Sequence, residues 1–100
     1  MSSSLDLANL TRGDFEPYLG EDFSVRNAAG EFSLRLVEIR KLGEARRAGG
    51  AFALEFVARA DRLLPQATYP LEHRTLGTLA LFLVPLGPRP EGMIYEAVFT

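Results

Sequence analysis

Short apolar segments, each bounded by glycine, proline or polar turn residues, are the feature that most restricts the fold of this chain. From Asp22 onward apolar side chains recur at every second position, which is the period of a strand with one buried face. The clearest candidates are residues 69–73, 78–86 and 93–99. Residues 78–86 are apolar at both parities, which predicts a strand covered on both faces. The connections are too short for the crossover helices that parallel strands need, so the pattern predicts antiparallel hairpins.

Three further strands are predicted in the first half of the chain. Phe23 and Val25 alternate with polar residues and lead into a turn that contains glycine. The next strand, residues 31–42, changes its apolar parity after Leu36, and a slip of one residue predicts a β-bulge. A third strand covers residues 51–60.

The N-terminal part precedes these strands. Residues 1–9 are predicted to form a flexible tail, and residues 11–19 a short helix capped by Thr11. Phe15 and Leu19 stand four positions apart, so we expect both to press into the core. Taken together, the sequence predicts one all-β domain over residues 1–100, with six antiparallel strands in residues 22–100 forming a small barrel or sandwich, opened by a short helix.

Composition excludes several classes of function. The chain has 11 Lys and Arg against 13 Asp and Glu, a formal net charge of −2, which argues against nucleic acid as the main partner. It has no cysteine, which excludes disulfides, thiolate catalysis and zinc sites that require sulfur. The polar start of the chain resembles neither a signal peptide nor a membrane anchor, so we expect a cytoplasmic protein that does not associate with membranes.

His73 is the only histidine, and we interpret it as structural rather than catalytic. Its neighbour Glu72 points to the opposite side of the strand and therefore cannot orient the imidazole. No pattern of residues indicates a catalytic set, a metal site or a cofactor. The alternative is a small-ligand carrier or enzyme that uses the barrel mouth, with Tyr69, His73 and Tyr95 available to orient a ligand.

Basic residues occur beside two of the predicted strands and in the loop between them. Arg46 and Arg47, flanked by glycines, could bind an anionic group in a partner, although a solvated loop is the stronger interpretation. The other basic residues of this region are Arg35, Arg40, Lys41, Arg59 and Arg62. Glu38, Glu44 and Glu55 lie among them, so we expect cross-strand ion pairs on a solvated face.

Apolar residues on the parity opposite to the main core indicate a contact surface. A domain of this size cannot easily cover both faces of its sheet, so such residues could form a patch for a protein partner or a second copy. With the two loop arginines, the candidate partner-binding residues are Val37, Ile39, Arg46, Arg47, Phe82, Val84, Ile94 and Val98.

Five segments together resemble a family of small bacterial domains of unknown function. They are Asp14–Gly20 (DFEPYLG), Leu64–His73 (LPQATYPLEH), Leu76–Gly77 (LG), Leu81–Gly87 (LFLVPLG) and Tyr95–Phe99 (YEAVF). The resemblance implies an accessory or assembly role beside proteins that resemble phage tail-collar or tail-fibre components, and it brings no catalytic residues. We therefore expect a non-enzymatic binding or assembly module that binds a protein partner or forms a homo-oligomer.

Overall fold

The computed structural model of the protein describes residues 10–27, 30–43, 50–59 and 63–99. One helical turn, α1 (Arg12–Phe15), continues into a 3₁₀ turn (Glu16–Tyr18). Six strands follow: β1 (Asp22–Asn27), β2 (Gly30–Lys41), β3 (Phe52–Ala58), β4 (Ala67–His73), β5 (Gly77–Arg89) and β6 (Gly92–Phe99). None of the helices in these ranges is long and apolar enough to cross a membrane.

The six strands form a closed antiparallel barrel in the order β1-β2-β3-β6-β5-β4. The predicted all-β fold is confirmed, and of its two architectures the barrel is the one observed. Four neighbouring pairs are hairpins or follow each other in the chain, and the pairs β3–β6 and β1–β4 complete the ring. Closure pairs every strand on both sides, which removes the exposed edges of an open sheet.

The predicted helix is present, but only one of its two apolar residues faces the core. The Thr11 N–H donates to Asp14 Oδ2 at 2.8 Å, which fixes the start of α1. Phe15 is fully buried, whereas Leu19 is exposed and Tyr18 packs against the core instead. The 3₁₀ turn explains the difference, since three residues per turn align Phe15 with the third residue after it rather than the fourth.

The predicted bulge lies in β2 at Val37. Leu36 faces Phe56 of β3, and the register then shifts so that Glu38 faces Glu55 and Ile39 faces Leu54. Val37 is the extra residue and is exposed, while Ile39 is partly buried against the core. The expectation that Ile39 shares an outward face with Val37 is therefore wrong, because the bulge restores the inward parity two residues later.

Apolar side chains fill the barrel interior. The largest fully buried ones are Tyr95, Phe15, Phe23, Phe52, Phe56, Leu34, Leu36, Leu54, Leu64, Leu71, Leu79 and Leu83. Phe52 and Phe99 stack with ring centroids 4.5 Å apart, and Phe15 contacts both rings from the helix. Each such side chain stabilises the fold by about 1.5–3 kcal/mol.

The strand covered on both faces is β3, not β5. Every residue of β3 is buried, whereas β5 alternates buried Leu79, Leu81 and Leu83 with an exposed outer face. The prediction for residues 78–86 is thus wrong. The outer face of a strand is buried only where side chains of neighbouring strands pack over it. Arginines from β2 and β5 contact Glu55 of β3, whereas Phe82 of β5 is half-exposed.

Candidate functional site

His73 ends β4 and is held by hydrogen bonds on both ring nitrogens. Its Nδ1 accepts the backbone N–H groups of Thr75 (3.0 Å) and Leu76 (3.1 Å), which form the turn into β5. Its Nε2 lies 2.8 Å from Glu21 Oε1. Since Nδ1 accepts two N–H bonds, the proton resides on Nε2 and is donated to the carboxylate.

The partner of His73 lies 52 residues away in the sequence, so no local signal could have found it. Two backbone hydrogen bonds between residues 20–21 and Leu36 of β2 position Glu21 at the start of β1. The ring edge of Tyr18 and the ring of Phe23 pack against the imidazole, with centroid distances of 4.6 and 4.7 Å. The side chain of His73 is only 1% exposed, and both of its ring nitrogens have hydrogen-bond partners within the fold.

Two tyrosine hydroxyls, at the end of β4 away from His73, also have internal partners. The Leu64 N–H donates to the Tyr95 hydroxyl at 2.9 Å, and this tyrosine is fully buried. The Tyr69 hydroxyl donates to the Pro65 carbonyl at 2.5 Å. A surface cavity of about 310 Å³ lies beside His73 and is lined by Gly20, Glu21, Asp22, His73 and Arg74.

The pKa of Tyr69 predicts a pH dependence of stability. Desolvation by burial, and second the nearby Tyr95, raise the pKa of Tyr69 above its ordinary value. Because the folded state holds the phenolic proton more tightly, the stability contribution is present below about pH 10 and is lost as the pH rises further. We expect the urea midpoint of the wild type to fall more between pH 9 and pH 11 than that of Tyr69→Phe. Equal falls in the two proteins would contradict this assignment.

An apolar surface lies on the outer side of β5 and β6. Phe82 is 50% exposed and Val98 is 49% exposed. The two strands pair from Val84 and Glu96 onward. Phe82 lies two residues before Val84 on β5, and Val98 lies two residues after Glu96 on β6. Residues two apart on a strand point to the same face, so Phe82, Val84 and Val98 all lie on the outer side of these neighbouring strands. With half-buried Val84 and exposed Leu86 of β5, we call this the outer apolar face.

The structure brings together three of the candidate partner-binding residues, Phe82, Val84 and Val98. Val37 is exposed at the β2 bulge, and Ile39 packs inward against the core. Ile94 points outward by its register with Val57, yet it is only 1% exposed. Arg46 and Arg47 lie outside the described residues.

A row of carboxylates crosses the barrel wall beside the outer apolar face. Glu38, Glu55 and Glu96 are successive register partners on β2, β3 and β6. Like charges directly opposite each other are destabilising, and two arginines compensate for them. We call these five residues the carboxylate row; its arginines are Arg40 and Arg89.

Arg40 provides most of this compensation. Its Nε lies 3.1 Å from Glu55 Oε2 and 3.8 Å from Glu38 Oε2, and its Nη2 hydrogen-bonds Glu96 Oε2. Arg89 Nη1 lies 3.5 Å from Glu55 Oε1. The expected cross-strand ion pairs thus exist for Arg40, but Glu55 is 5% exposed, so the expectation of a solvated face is wrong at this position.

Two buried atoms of the carboxylate row have no hydrogen-bond partner, namely Glu55 Oε1 and Arg40 Nε. Both lie within ion-pair distance of an opposite charge, so attraction is present without the alignment of a hydrogen bond. An unsatisfied buried acceptor costs about 1–3 kcal/mol, more when charged. No sequence pattern indicates these unsatisfied atoms, since Glu55 resembles any outward strand residue.

The described residues contain no group of three or more His, Cys, Asp or Glu side chains arranged to hold a metal ion. A second surface cavity, of about 230 Å³, lies where β1, β2 and β3 meet. Its lining consists of Asp22, Ser33, Arg35, Val57, Ala58, Arg59 and Glu91.

Comparison with known proteins identifies a family. A family profile described as a domain of unknown function (DUF6916) matches residues 10–99. No curated protein and no solved structure matches the chain.

Proposed function

The chain belongs to the family described as a domain of unknown function (DUF6916), a membership that assigns no activity, and we propose that the barrel is a non-enzymatic protein-binding module. The observation that carries the proposal is the outer apolar face. Phe82 and Val98 are half-exposed, lie on the outer side of neighbouring strands, and are fixed on strands of a closed barrel. Exposed aromatic and aliphatic side chains that adjoin one another are typical of protein contact surfaces.

The rigidity of the scaffold supports this use. The strands that carry Phe82 and Val98 pair with neighbours on both sides, so their backbone is held before a partner arrives. A site that is already ordered loses little conformational entropy on binding. Leu81 and Leu83 on the inward side of β5 are buried in the core. The outward residues of this strand are therefore available for contact with a partner.

The small-ligand alternative finds less support. It requires Tyr69, His73 and Tyr95 to present polar groups to a ligand, but their hydroxyl and ring nitrogen atoms already bond within the fold. The barrel interior holds large apolar side chains. The resemblance described above extends the proposal to an accessory role in assembling a phage-tail-like particle in the bacterial cytoplasm.

Replacement of Phe82 by serine tests the proposal. We expect Phe82→Ser and Val98→Ser to weaken partner retention by about tenfold or more, because loss of a central apolar contact costs at least 1.4 kcal/mol. The immobilised wild type and each variant are incubated with lysate of the source organism, and retained proteins are quantified by mass spectrometry. Light scattering measures self-association in parallel, and circular dichroism verifies folding.

Leu63→Ser is the matched control, because Leu63 is also exposed but lies outside β5 and β6. It should retain the same partner as the wild type. A strictly monomeric wild type whose retained proteins are unchanged by Phe82→Ser would overturn the proposed function.

A further inference from the structure

The carboxylate row suggests which chemistry the partner carries, and this inference rests on the proposed function. We propose that the row binds an arginine or lysine side chain of the protein partner, beside the apolar contact at Phe82. The row holds three carboxylates and two guanidinium groups, which leaves one net negative charge. This net charge attracts a basic side chain.

The unpartnered oxygen of Glu55 gives the row an acceptor for this group. Glu55 is 95% buried as a residue, and its Oε1 accepts no hydrogen bond. Arg89 lies 3.5 Å away without forming one, and its side chain is 48% exposed. A partner guanidinium or ammonium group that takes the place of Arg89 makes the missing charge-assisted bond, which is about twice as strong as a neutral one.

The position of the row links it to the outer apolar face. Glu96 of the row pairs with Val84 of the face, and Ala53 lies between Val98 and Arg40 on the adjoining strands. Neighbouring strands are about 4.8 Å apart, so one partner segment spans both features. The partner surface therefore carries a basic side chain next to an apolar one.

Titration with a minimal probe tests the inference. N-acetylarginine amide carries the basic group alone, and N-acetylcitrulline amide is its neutral counterpart of the same shape. Two-dimensional amide spectra of the full chain are recorded as each probe is added at millimolar concentration. We expect the arginine probe to shift the signals of Glu38, Glu55 and Glu96, and the citrulline probe to leave them unchanged.

Three variants separate this site from general surface charge. Glu96→Gln should weaken binding of the arginine probe at least threefold. Glu38→Gln should do the same, and its exposed position protects folding. Arg89→Ala should strengthen binding at least threefold, because it removes the competing guanidinium group.

The outcomes distinguish this inference from the proposed function. Phe82→Ser should still bind the arginine probe, since the probe lacks an apolar group, while it loses the protein partner. Equal shifts with both probes, or no gain in Arg89→Ala, would overturn the inference and leave the proposed function standing. Arginine-probe binding together with unchanged partner retention in Phe82→Ser would overturn the proposed function on which it rests.

Discussion

Arg40→Ala should lower the free energy of unfolding by about 2–4 kcal/mol. Removing one partner of a buried ion pair is costly because the remaining charge stays buried, and Arg40 contacts the carboxylates of Glu38, Glu55 and Glu96. The loss falls below the maximum for such pairs, because Arg40 is partly exposed and Arg89 remains 3.5 Å from Glu55. Urea unfolding followed by far-ultraviolet circular dichroism measures the change.

Arg35→Ala is the matched control for Arg40→Ala. Arg35 lies on the same strand and pairs with Asp22 at 3.9 Å, but both side chains are more than half exposed. Its loss should change stability by less than about 0.5 kcal/mol. The double variant Arg40→Ala/Glu55→Gln should recover part of the loss, since an amide carries no charge to bury. If Arg40→Ala lowers the free energy of unfolding by no more than Arg35→Ala does, the ion pairs of the carboxylate row do not stabilise the barrel wall.

Gly92→Ala should destabilise the protein by an amount on the order of 3 kcal/mol. Gly92 has φ +143, a conformation that residues with a Cβ rarely adopt. A Cβ there would lie 2.2 Å from the Ala58 carbonyl oxygen of β3. Because that atom belongs to the backbone, it cannot rotate away, and β3 and β6 must separate where Ala58 pairs with Met93.

Gly43→Ala provides the comparison for Gly92→Ala. Gly43 does not have a positive φ, and a Cβ there would meet no atom within 4 Å. Its stability should stay the same or rise by up to about 1 kcal/mol, because alanine restricts the unfolded chain. Amide hydrogen exchange should show faster opening at Ala58 and Met93 in Gly92→Ala only. Equal urea midpoints for the two variants would refute the close approach of β6 to β3.

The alternation of apolar and polar residues along the strands explains which parts of the fold were predictable. Alternation along a strand is a local property, so the sequence indicated the strands and the bulge after Leu36. Coverage of an outer face is not local. Residues 78–86 are the more apolar segment, yet the neighbours of β3 cover Glu55, whereas Phe82 of β5 stays half-exposed.

The residues of the candidate site were likewise predictable only in part. Phe82, Val84 and Val98 were predictable as outward residues because their parity is opposite to that of the core. Ile94 shares that parity and is nevertheless buried, while Ile39 returns to the inner side after the bulge. Neither outcome can be read from the alternation of residues alone.

The all-β class, the antiparallel strands and the short helix before them follow from local sequence patterns, because strand period and turn residues act over a few positions. Three features depend on long-range contacts and could not be predicted: the sheet closes, Glu21 contacts His73, and Glu55, Glu96 and Arg40 form one cluster. These contacts join residues on separate strands, and their energies depend on burial that exists only once all six strands are in place.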